Sequence, residues 1–176
     1  MTTSLEHVVL VDEFDRAIGS MEKMEAHRRG ELHRAFSVFL FNSKGEFLIH
    51  QRAVGKYHSG GLWTNACCSH PRVGESVEAA AVRRLQEEMG MEAELTPAFQ
   101  FTYRAELDGG LIEHELDHVL VGVSDALPHP NVDEVASYRY VGMEALLEEV
   151  AAWPDRFTAW FKVCLPEVVR RQAHRS

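Results

Sequence analysis

Cysteine and positive charge are both scarce in this sequence of 176 residues. Two of the three cysteines, Cys67 and Cys68, are adjacent, so a disulfide framework explains them poorly and we expect reduced thiols. Lysine and arginine number 18 against 27 aspartates and glutamates, which gives a formal net charge of -9. Without a positive excess we expect neither nucleic acid nor a membrane surface as a partner. An anionic ligand would need a local basic pocket.

Long apolar runs, internal repeats and flexible linkers are absent as well. No segment has the roughly 20 apolar residues that span a bilayer, and the N-terminus lacks a basic region followed by an apolar stretch. We therefore expect a cytoplasmic protein that is a monomer or a weak homo-oligomer. Hydrophobic residues make up 45% of the chain, which is enough for one core. With no boundary visible, we predict a single domain over residues 1–176.

The distribution of apolar residues predicts six strands and three helices. The predicted strands are His7–Asp12, Ala35–Asn42, Glu46–Arg52, Phe99–Leu107, Leu111–Val123 and Ala136–Val141. The predicted helices are Glu75–Met89, Met143–Ala152 and Arg156–Ala173. Ser43 to Gly45 forms a natural hairpin turn, and Pro166 should kink or interrupt the last helix. The order of elements indicates an α/β (α+β) fold, a mixed β-sheet with helices packed on its faces.

The predicted helix that ends near Gly90 carries the first chemical signal. Charged residues on a helix are usually a solvated face, but the run that contains Glu75, Arg83, Glu87, Glu88 and Gly90 is similar to the Nudix box, which holds metal and diphosphate. Glu75 and Glu88 are 13 positions apart, about 20 Å along a helix, so they cannot share one ion. Glu88 is therefore the candidate ligand, and its hard oxygen suits Mg²⁺ bound together with a diphosphate.

Two positions depart from the Nudix hydrolase pattern. Arg84 stands where the hydrolases carry a carboxylate, and Ser69 stands where the box begins with glycine. A cation at position 84 removes a metal-binding or water-activating group and supplies a phosphate partner instead. A Nudix hydrolase of a nucleoside or isoprenoid diphosphate nevertheless remains an alternative. A non-catalytic module that binds metal or diphosphate is a third.

The segment from Trp63 to Pro71, with the sequence WTNACCSHP, is the most specific signal. It resembles type I isopentenyl diphosphate isomerases, a branch of the Nudix superfamily. The resemblance implies that Cys68, two positions before His70, is the catalytic thiol. Cys67 and Cys164 are then buried small hydrophobic residues. It also implies interconversion of isopentenyl diphosphate and dimethylallyl diphosphate by protonation and deprotonation in isoprenoid biosynthesis.

Two glutamates indicate a second metal site. Glu113 and Glu115 are two apart on a predicted strand, so they project from one face and can converge on a cation. The resemblance supplies His27, His33 and His70 as further ligands and makes the ion Mn²⁺, Zn²⁺ or Mg²⁺. The residues between His27 and His33 are too irregular for a helix face, so we expect both on a loop. The remaining histidines are interpreted as ordinary surface or structural residues: His7, His50, His58, His114, His118, His129 and His174.

The resemblance also assigns the groups that hold the substrate. It implies that a set of basic residues contacts the diphosphate: Lys23, Arg52, Lys56 and Arg84. Trp160 would lie near the hydrocarbon end, although core packing of the last helix explains this residue nearly as well. Tyr103 would hydrogen-bond Glu115, which forms the catalytic pair with Cys68. The expected partner is thus a small isoprenoid diphosphate.

Overall fold

Alternating apolar residues form the centre of a nine-stranded mixed sheet in the computed structural model, which describes residues 6–173. The strands are β1 (His7–Val11), β2 (Ala17–Glu22), β3 (His33–Phe41), β4 (Phe47–Arg52), β5 (Trp63–Thr64), β6 (Cys67–Ser69), β7 (Thr96–Glu106), β8 (Ile112–Val123) and β9 (Val135–Val141). The helices are α1 (Lys23–Arg29), α2 (Val77–Met89), α3 (Met143–Ala152) and α4 (Ala159–Ala173). Short 3₁₀ turns occupy Asp108–Gly110 and Pro154–Arg156.

Strand β3 organises the sheet. It pairs antiparallel with β1, β4 and β6, and parallel with β8. Strand β4 also pairs with β5 and β9, and β7 pairs with β8, in each case antiparallel. The predicted hairpin between β3 and β4 is present, because Phe41 pairs with Phe47 across a turn in which Gly45 has a φ of 78°. Such a left-handed conformation favours glycine.

Helices cover both faces of the sheet. Phe39 of β3 stacks on Phe161 of α4, with ring centroids 5.9 Å apart. Its neighbour Leu40 points to the other face, into a cluster that contains Leu85 and Met89 of α2. Because successive residues of a strand alternate between faces, β3 contributes to two separate cores. The mixed sheet with helices on its faces confirms the predicted fold class.

Helix α2 begins two residues later than predicted, and its ends explain its length. Ser76 is the N-cap, and its side chain accepts a hydrogen bond from the backbone N–H of Ala79. Gly90 ends the helix with a φ of 61°, and a Cβ there would lie 2.5 Å from the carbonyl oxygen of His129. Glycine is therefore required at position 90 both by conformation and by space.

Several sequence predictions differ from the structure. His27 lies in helix α1 and His33 begins strand β3, so the prediction that both lie on a loop is wrong. Helix α4 begins at Ala159 and continues through Pro166 without interruption. The short elements α1, β2, β5 and β6 carry no periodicity of their own and were not predicted. His174 lies outside the described residues. Among residues 6–173, none of the helices has the length and apolar character of a membrane span.

Candidate active site

Strand register brings Cys68 and Glu115 to one face of the sheet. Cys68 of β6 pairs with Ser37 of β3, and Glu115 of β8 pairs with His33 of the same strand. His33 and Ser37 are four positions apart, so they and their paired neighbours face the same side. That side is the one covered by α4. Tyr103 of β7 pairs with Glu115 and joins the same face.

Cys68 lies between one hydrogen-bond donor and one acceptor. The indole Nε1 of Trp160 donates to its Sγ at 2.9 Å, and the thiol donates to Oδ1 of Asn65 at 3.0 Å. Asn65 is itself fixed, because its amide donates to the carbonyl oxygens of Val38 and Cys67. Burial raises the pKa of Cys68 to about 12, although the Trp160 hydrogen bond opposes this shift. The group is thus a thiol rather than a thiolate at neutral pH.

Cys67 occupies a different environment from its neighbour. Its side chain is fully buried in the core that contains Leu85 and Met89 of α2. Adjacent residues of a strand point to opposite faces, so Cys67 and Cys68 cannot reach the same cavity. Cys164 is also buried, in the core on the α4 side. Both positions match the interpretation of these two cysteines as small hydrophobic residues.

Three of the predicted metal ligands surround Glu115. His27, His33, His70 and Glu115 each present a ligand atom, and these four atoms lie within 4.8 Å of one another. The Nε2 atoms of His33 and His70 are 3.3 and 2.9 Å from Oε2 of Glu115. His27, His33 and Glu115 are buried, so this cluster is screened from solvent.

Hydrogen bonds at Nδ1 fix the orientation of the imidazole rings of His27 and His33. Nδ1 of His27 is 2.7 Å from the carbonyl oxygen of Lys23, and Nδ1 of His33 is 2.9 Å from that of Glu31. A carbonyl only accepts, so Nδ1 carries the proton and Nε2 presents a lone pair. These Nε2 atoms have no hydrogen-bond partner in the described part of the chain. Burial lowers the pKa of His27 to about 4, so its imidazole is neutral at pH 7. Buried, unpartnered lone pairs beside carboxylates fit a divalent cation.

Glu113, the fifth predicted ligand, contacts a residue that the sequence interpretation missed. Its Oε2 lies 4.0 Å from Nε2 of His27 but 3.1 Å from Nε2 of His58. These three residues form a second group with ligand atoms within 4.8 Å of one another. His58 is 2% exposed, so it is not a surface residue, and of the two interpretations given to it only that of a structural residue is left. Only its position two residues after Lys56 could have drawn attention to it.

Tyr103 joins the two glutamates. Its hydroxyl contacts Oε1 of Glu113 and lies 3.0 Å from Oε1 of Glu115, and it can donate its single proton to either carboxyl group. Burial raises the pKa of Glu115, whereas hydrogen bonds from Nε2 of His33 and His70, when those nitrogens carry a proton, lower the pKa below the usual range. Burial and the charge of Glu115 raise the pKa of Glu113. Without a cation the pair thus holds one firmly ionised carboxylate and one that favours its proton.

Two adjoining cavities divide the site. A small inner cavity of about 20 Å³ is lined by residues that include Cys68, Glu115 and Trp160. A larger outer cleft of about 640 Å³ is lined by the predicted diphosphate ligands and Glu88: Lys23, Arg52, Lys56, Arg84 and Glu88. Cys68 and Arg52 line both spaces, so the groups predicted for proton transfer lie directly beside those predicted to hold the diphosphate.

Carboxylates pair with the cations of the outer cleft. Nη2 of Arg84 is 2.5 Å from Oε1 of Glu88 and 2.6 Å from Oε1 of Glu134. The same oxygen of Glu134 is 3.4 Å from Nζ of Lys56. Burial raises the pKa of Glu88, although Arg84 opposes the shift. Glu134 was not identified from the sequence, because it lies 50 positions from Arg84 and nothing local marks it.

Lys23 and Arg52 differ in their partners. Nζ of Lys23 is 2.7 Å from Oε2 of Glu6, a residue that the sequence did not indicate, and lies over the ring of Tyr57. Arg52 is buried, and its guanidinium donates to the backbone oxygen of His58 and lies 5.2 Å from the ring centroid of Trp160. Its Nε has no hydrogen-bond partner in residues 6–173. Arg52 is therefore a buried cation with donor capacity left for an anion.

Sequence comparisons show which known proteins this chain is similar to. The family model described as NUDIX domain matches residues 31–161. The isopentenyl-diphosphate Delta-isomerase of Pectobacterium atrosepticum is 54% identical, over 93% of this chain and 92% of its own length. The protein of the same name from Photobacterium profundum is 55% identical, over 93% and 94% of the two chains. That of Nocardia farcinica is 50% identical, over 87% and 89%.

Solved structures are similar in fold. A Deinococcus radiodurans protein of known crystal structure has a TM-score of 0.75 and 24% identity, with 94% of this chain and 98% of that chain covered. The MutT protein of Methanosarcina mazei has a TM-score of 0.64 and 21% identity, with 81% and 95% covered. At these identities the similarity is one of fold alone.

Proposed function

The chain belongs to the NUDIX domain family and, within it, to the isopentenyl-diphosphate Delta-isomerases, and we propose that Cys68 and Glu115 transfer the protons of its reaction. The enzyme interconverts isopentenyl diphosphate and dimethylallyl diphosphate. One observation carries the proposal: both residues line a single inner cavity that adjoins a cleft rich in cations.

The chemistry of the reaction explains why two such groups are needed. Moving a double bond by one carbon adds a proton at one end of the alkene and removes one from the neighbouring carbon. An unactivated alkene is a weak base, so the acid must act in a site from which water is excluded. Cys68 and Glu115 supply the two exchangeable groups, and which of them donates the first proton depends on the direction of the reaction. Their roles exchange in the reverse direction.

Trp160 protects the cation that forms between the two proton transfers. An aromatic face stabilises a desolvated cation by about 2 kcal/mol. The guanidinium of Arg52 also lies over this ring. The indole of Trp160 therefore interacts with a permanent cation as well as with the transient carbocation. Tyr103 holds Glu115 in place through its hydroxyl.

The diphosphate is held in the outer cleft, away from the alkene. Lys23, Arg52, Lys56 and Arg84 supply the positive charge. Their present carboxylate partners are exchanged for phosphate oxygens when substrate binds. Glu88 would hold Mg²⁺ together with the diphosphate, because a hard cation is bound by one or two carboxylates and phosphate oxygens.

A second divalent ion fits the buried histidine and glutamate cluster. Its neutral imidazoles and carboxylates suit Mn²⁺, Zn²⁺ or Mg²⁺. When bound, the ion supplies positive charge that tunes the acidity of Glu115. We also propose that the chain works as one catalytic domain in the cytoplasm, as a monomer or weak homo-oligomer, without nucleic-acid or membrane partners. The formal net charge of -9 supports the last point.

The test is a turnover experiment with two readouts. Purified protein is incubated with isopentenyl diphosphate and Mg²⁺ in D₂O, and the products are analysed by mass spectrometry and phosphate assay. We expect dimethylallyl diphosphate that carries solvent deuterium, because an exchangeable protein group donates the proton. We expect no free phosphate. Release of phosphate without isomer would instead support a Nudix hydrolase, and binding without either product would support a non-catalytic module.

A further inference from the structure

His58 shares the structural features of the predicted metal ligands. It lies in the loop between β4 and β5 and is 2% exposed. Its Nε2 points toward the buried histidine and glutamate cluster and lies 3.1 Å from Oε2 of Glu113. This nitrogen forms no hydrogen bond to any described residue. Its ring is 5.7 Å from that of His27, between centroids. A buried imidazole with a free nitrogen beside a carboxylate has the arrangement of a ligand.

The orientation of His58 is fixed in the same way as that of the ligands. Nδ1 of His27 contacts a backbone carbonyl, and Nδ1 of His58 lies 3.0 Å from Oγ of Ser59. Holding one ring nitrogen by a protein group directs the other at the cation, which is the usual outer shell of a histidine site. In both residues it is Nε2 that remains without a partner among residues 6–173.

The loop around His58 is tied to the protein from several sides. Its backbone oxygen accepts a hydrogen bond from Nη2 of Arg52. The next residue, Ser59, has a φ of 54°, uncommon for a residue other than glycine, and its N–H donates to Oδ1 of Asp108. Strained backbone persists where surrounding contacts hold it, often at functional sites. These contacts hold the imidazole against Glu113.

Simple core packing does not account for this arrangement. The ring of His58 contacts Tyr57 and Trp160, with centroids 4.3 and 5.7 Å away, and an apolar side chain could fill that space. A buried imidazole nitrogen without a partner costs free energy that an apolar residue would avoid. That cost is offset if Nε2 binds a cation.

We propose that His58 is a further ligand of the ion at the histidine and glutamate cluster, bound through Nε2 together with Glu113. The inference rests on the proposed function, which puts an ion there. It raises the number of ligand residues to six: His27, His33, His58, His70, Glu113 and Glu115. The two groups of ligand atoms share His27, and their mixed nitrogen and oxygen donors would suit Mn²⁺, which is the ion used in the test.

The test measures Mn²⁺ affinity by calorimetry on the full chain after removal of bound metal. We expect His58→Gln to weaken Mn²⁺ binding by at least roughly 10–100-fold, the usual effect of removing even an outer partner of a metal ligand. Ser59→Ala keeps the imidazole of His58 but removes the hydroxyl that contacts its Nδ1, and we expect a smaller loss of Mn²⁺ affinity. His118→Gln is the matched control, because it removes another histidine beside a carboxylate, Asp15, at 2.9 Å. It should bind Mn²⁺ like the wild type.

Thermal melting separates a ligand from a packing residue. Without metal, His58→Gln should melt near the wild-type temperature, and the increase on adding Mn²⁺ should shrink, because a weaker ligand stabilises the fold less. Wild-type affinity in both His58→Gln and Ser59→Ala would overturn the proposal. An equal loss of melting temperature with and without Mn²⁺ would overturn it too. If either result is obtained while the wild type still isomerises isopentenyl diphosphate, the proposed function stands and only the role of His58 as a ligand is rejected.

Discussion

The indole N–H of Trp160 donates a hydrogen bond to the sulfur of Cys68 at 2.9 Å. Trp160 is on α4 and Cys68 is on β6, so the helix that covers this face of the sheet reaches the proposed proton-transfer group directly. A hydrogen bond donated to sulfur favours the thiolate that remains after the proton leaves. In the proposed mechanism Trp160 would therefore act on the thiol as well as on the hydrocarbon.

Substitution of Trp160 separates these two roles. Trp160→Phe keeps an aromatic face but loses the N–H donor, so kcat should fall about tenfold, the value of one hydrogen bond. Trp160→Ala also loses the ring and the exclusion of water, and kcat should fall roughly 10²–10³-fold. Steady-state kinetics on both variants measures how much of kcat depends on the N–H donor and how much depends on the aromatic ring. Wild-type kcat in both would mean that Trp160 only packs the core.

The raised pKa of Cys68 predicts how alkylation depends on pH. The thiolate is the reactive form, and with a pKa of about 12 its fraction rises tenfold for each pH unit near neutrality. Inactivation of the metal-free enzyme by iodoacetamide should therefore accelerate about tenfold per unit between roughly pH 7 and 9. Isopentenyl diphosphate should slow it. A rate that levels off near pH 7 would show a thiolate already formed, contrary to this account.

Removal of one diphosphate cation should affect binding more than chemistry. Arg84→Gln takes away a charge-assisted contact worth about 1.5–3 kcal/mol, so KM for isopentenyl diphosphate should rise roughly 10–100-fold with a smaller change in kcat. Arg34→Gln is the control, since Arg34 pairs with Asp15 outside the cleft. A variant of Arg84 with unchanged KM would remove this residue from the substrate site.

Local patterns predicted the central strands because their apolar alternation is long and regular. The same patterns could not show that β3 and β8 pair in parallel, yet this register places His33 beside Glu115. Helix α1 has seven residues and ends at Gly30, too short for helical periodicity to be visible, so the sequence misplaced His27. His58 was missed for a similar reason. Its significance depends on Glu113, which is 55 positions away.

The two neighbouring cysteines lie in different environments. Cys68 lines the inner cavity, whereas Cys67 packs against α2 on the other face. Cys67→Ala should therefore keep its activity and lose at most about 2 kcal/mol of stability. Cys164→Ala should behave in the same way.

The most direct measurement compares kcat and substrate affinity in Cys68→Ala and Cys67→Ala. Cys68→Ala removes a proton-transfer group, so kcat should fall by roughly 10²–10⁴-fold. Its affinity for isopentenyl diphosphate with Mg²⁺, measured by calorimetry, should stay near the wild-type value, because the cations and Glu88 are untouched. Cys67→Ala should match the wild type in both quantities. Wild-type turnover in Cys68→Ala, or an inactive but folded Cys67→Ala, would contradict the proposed proton pair.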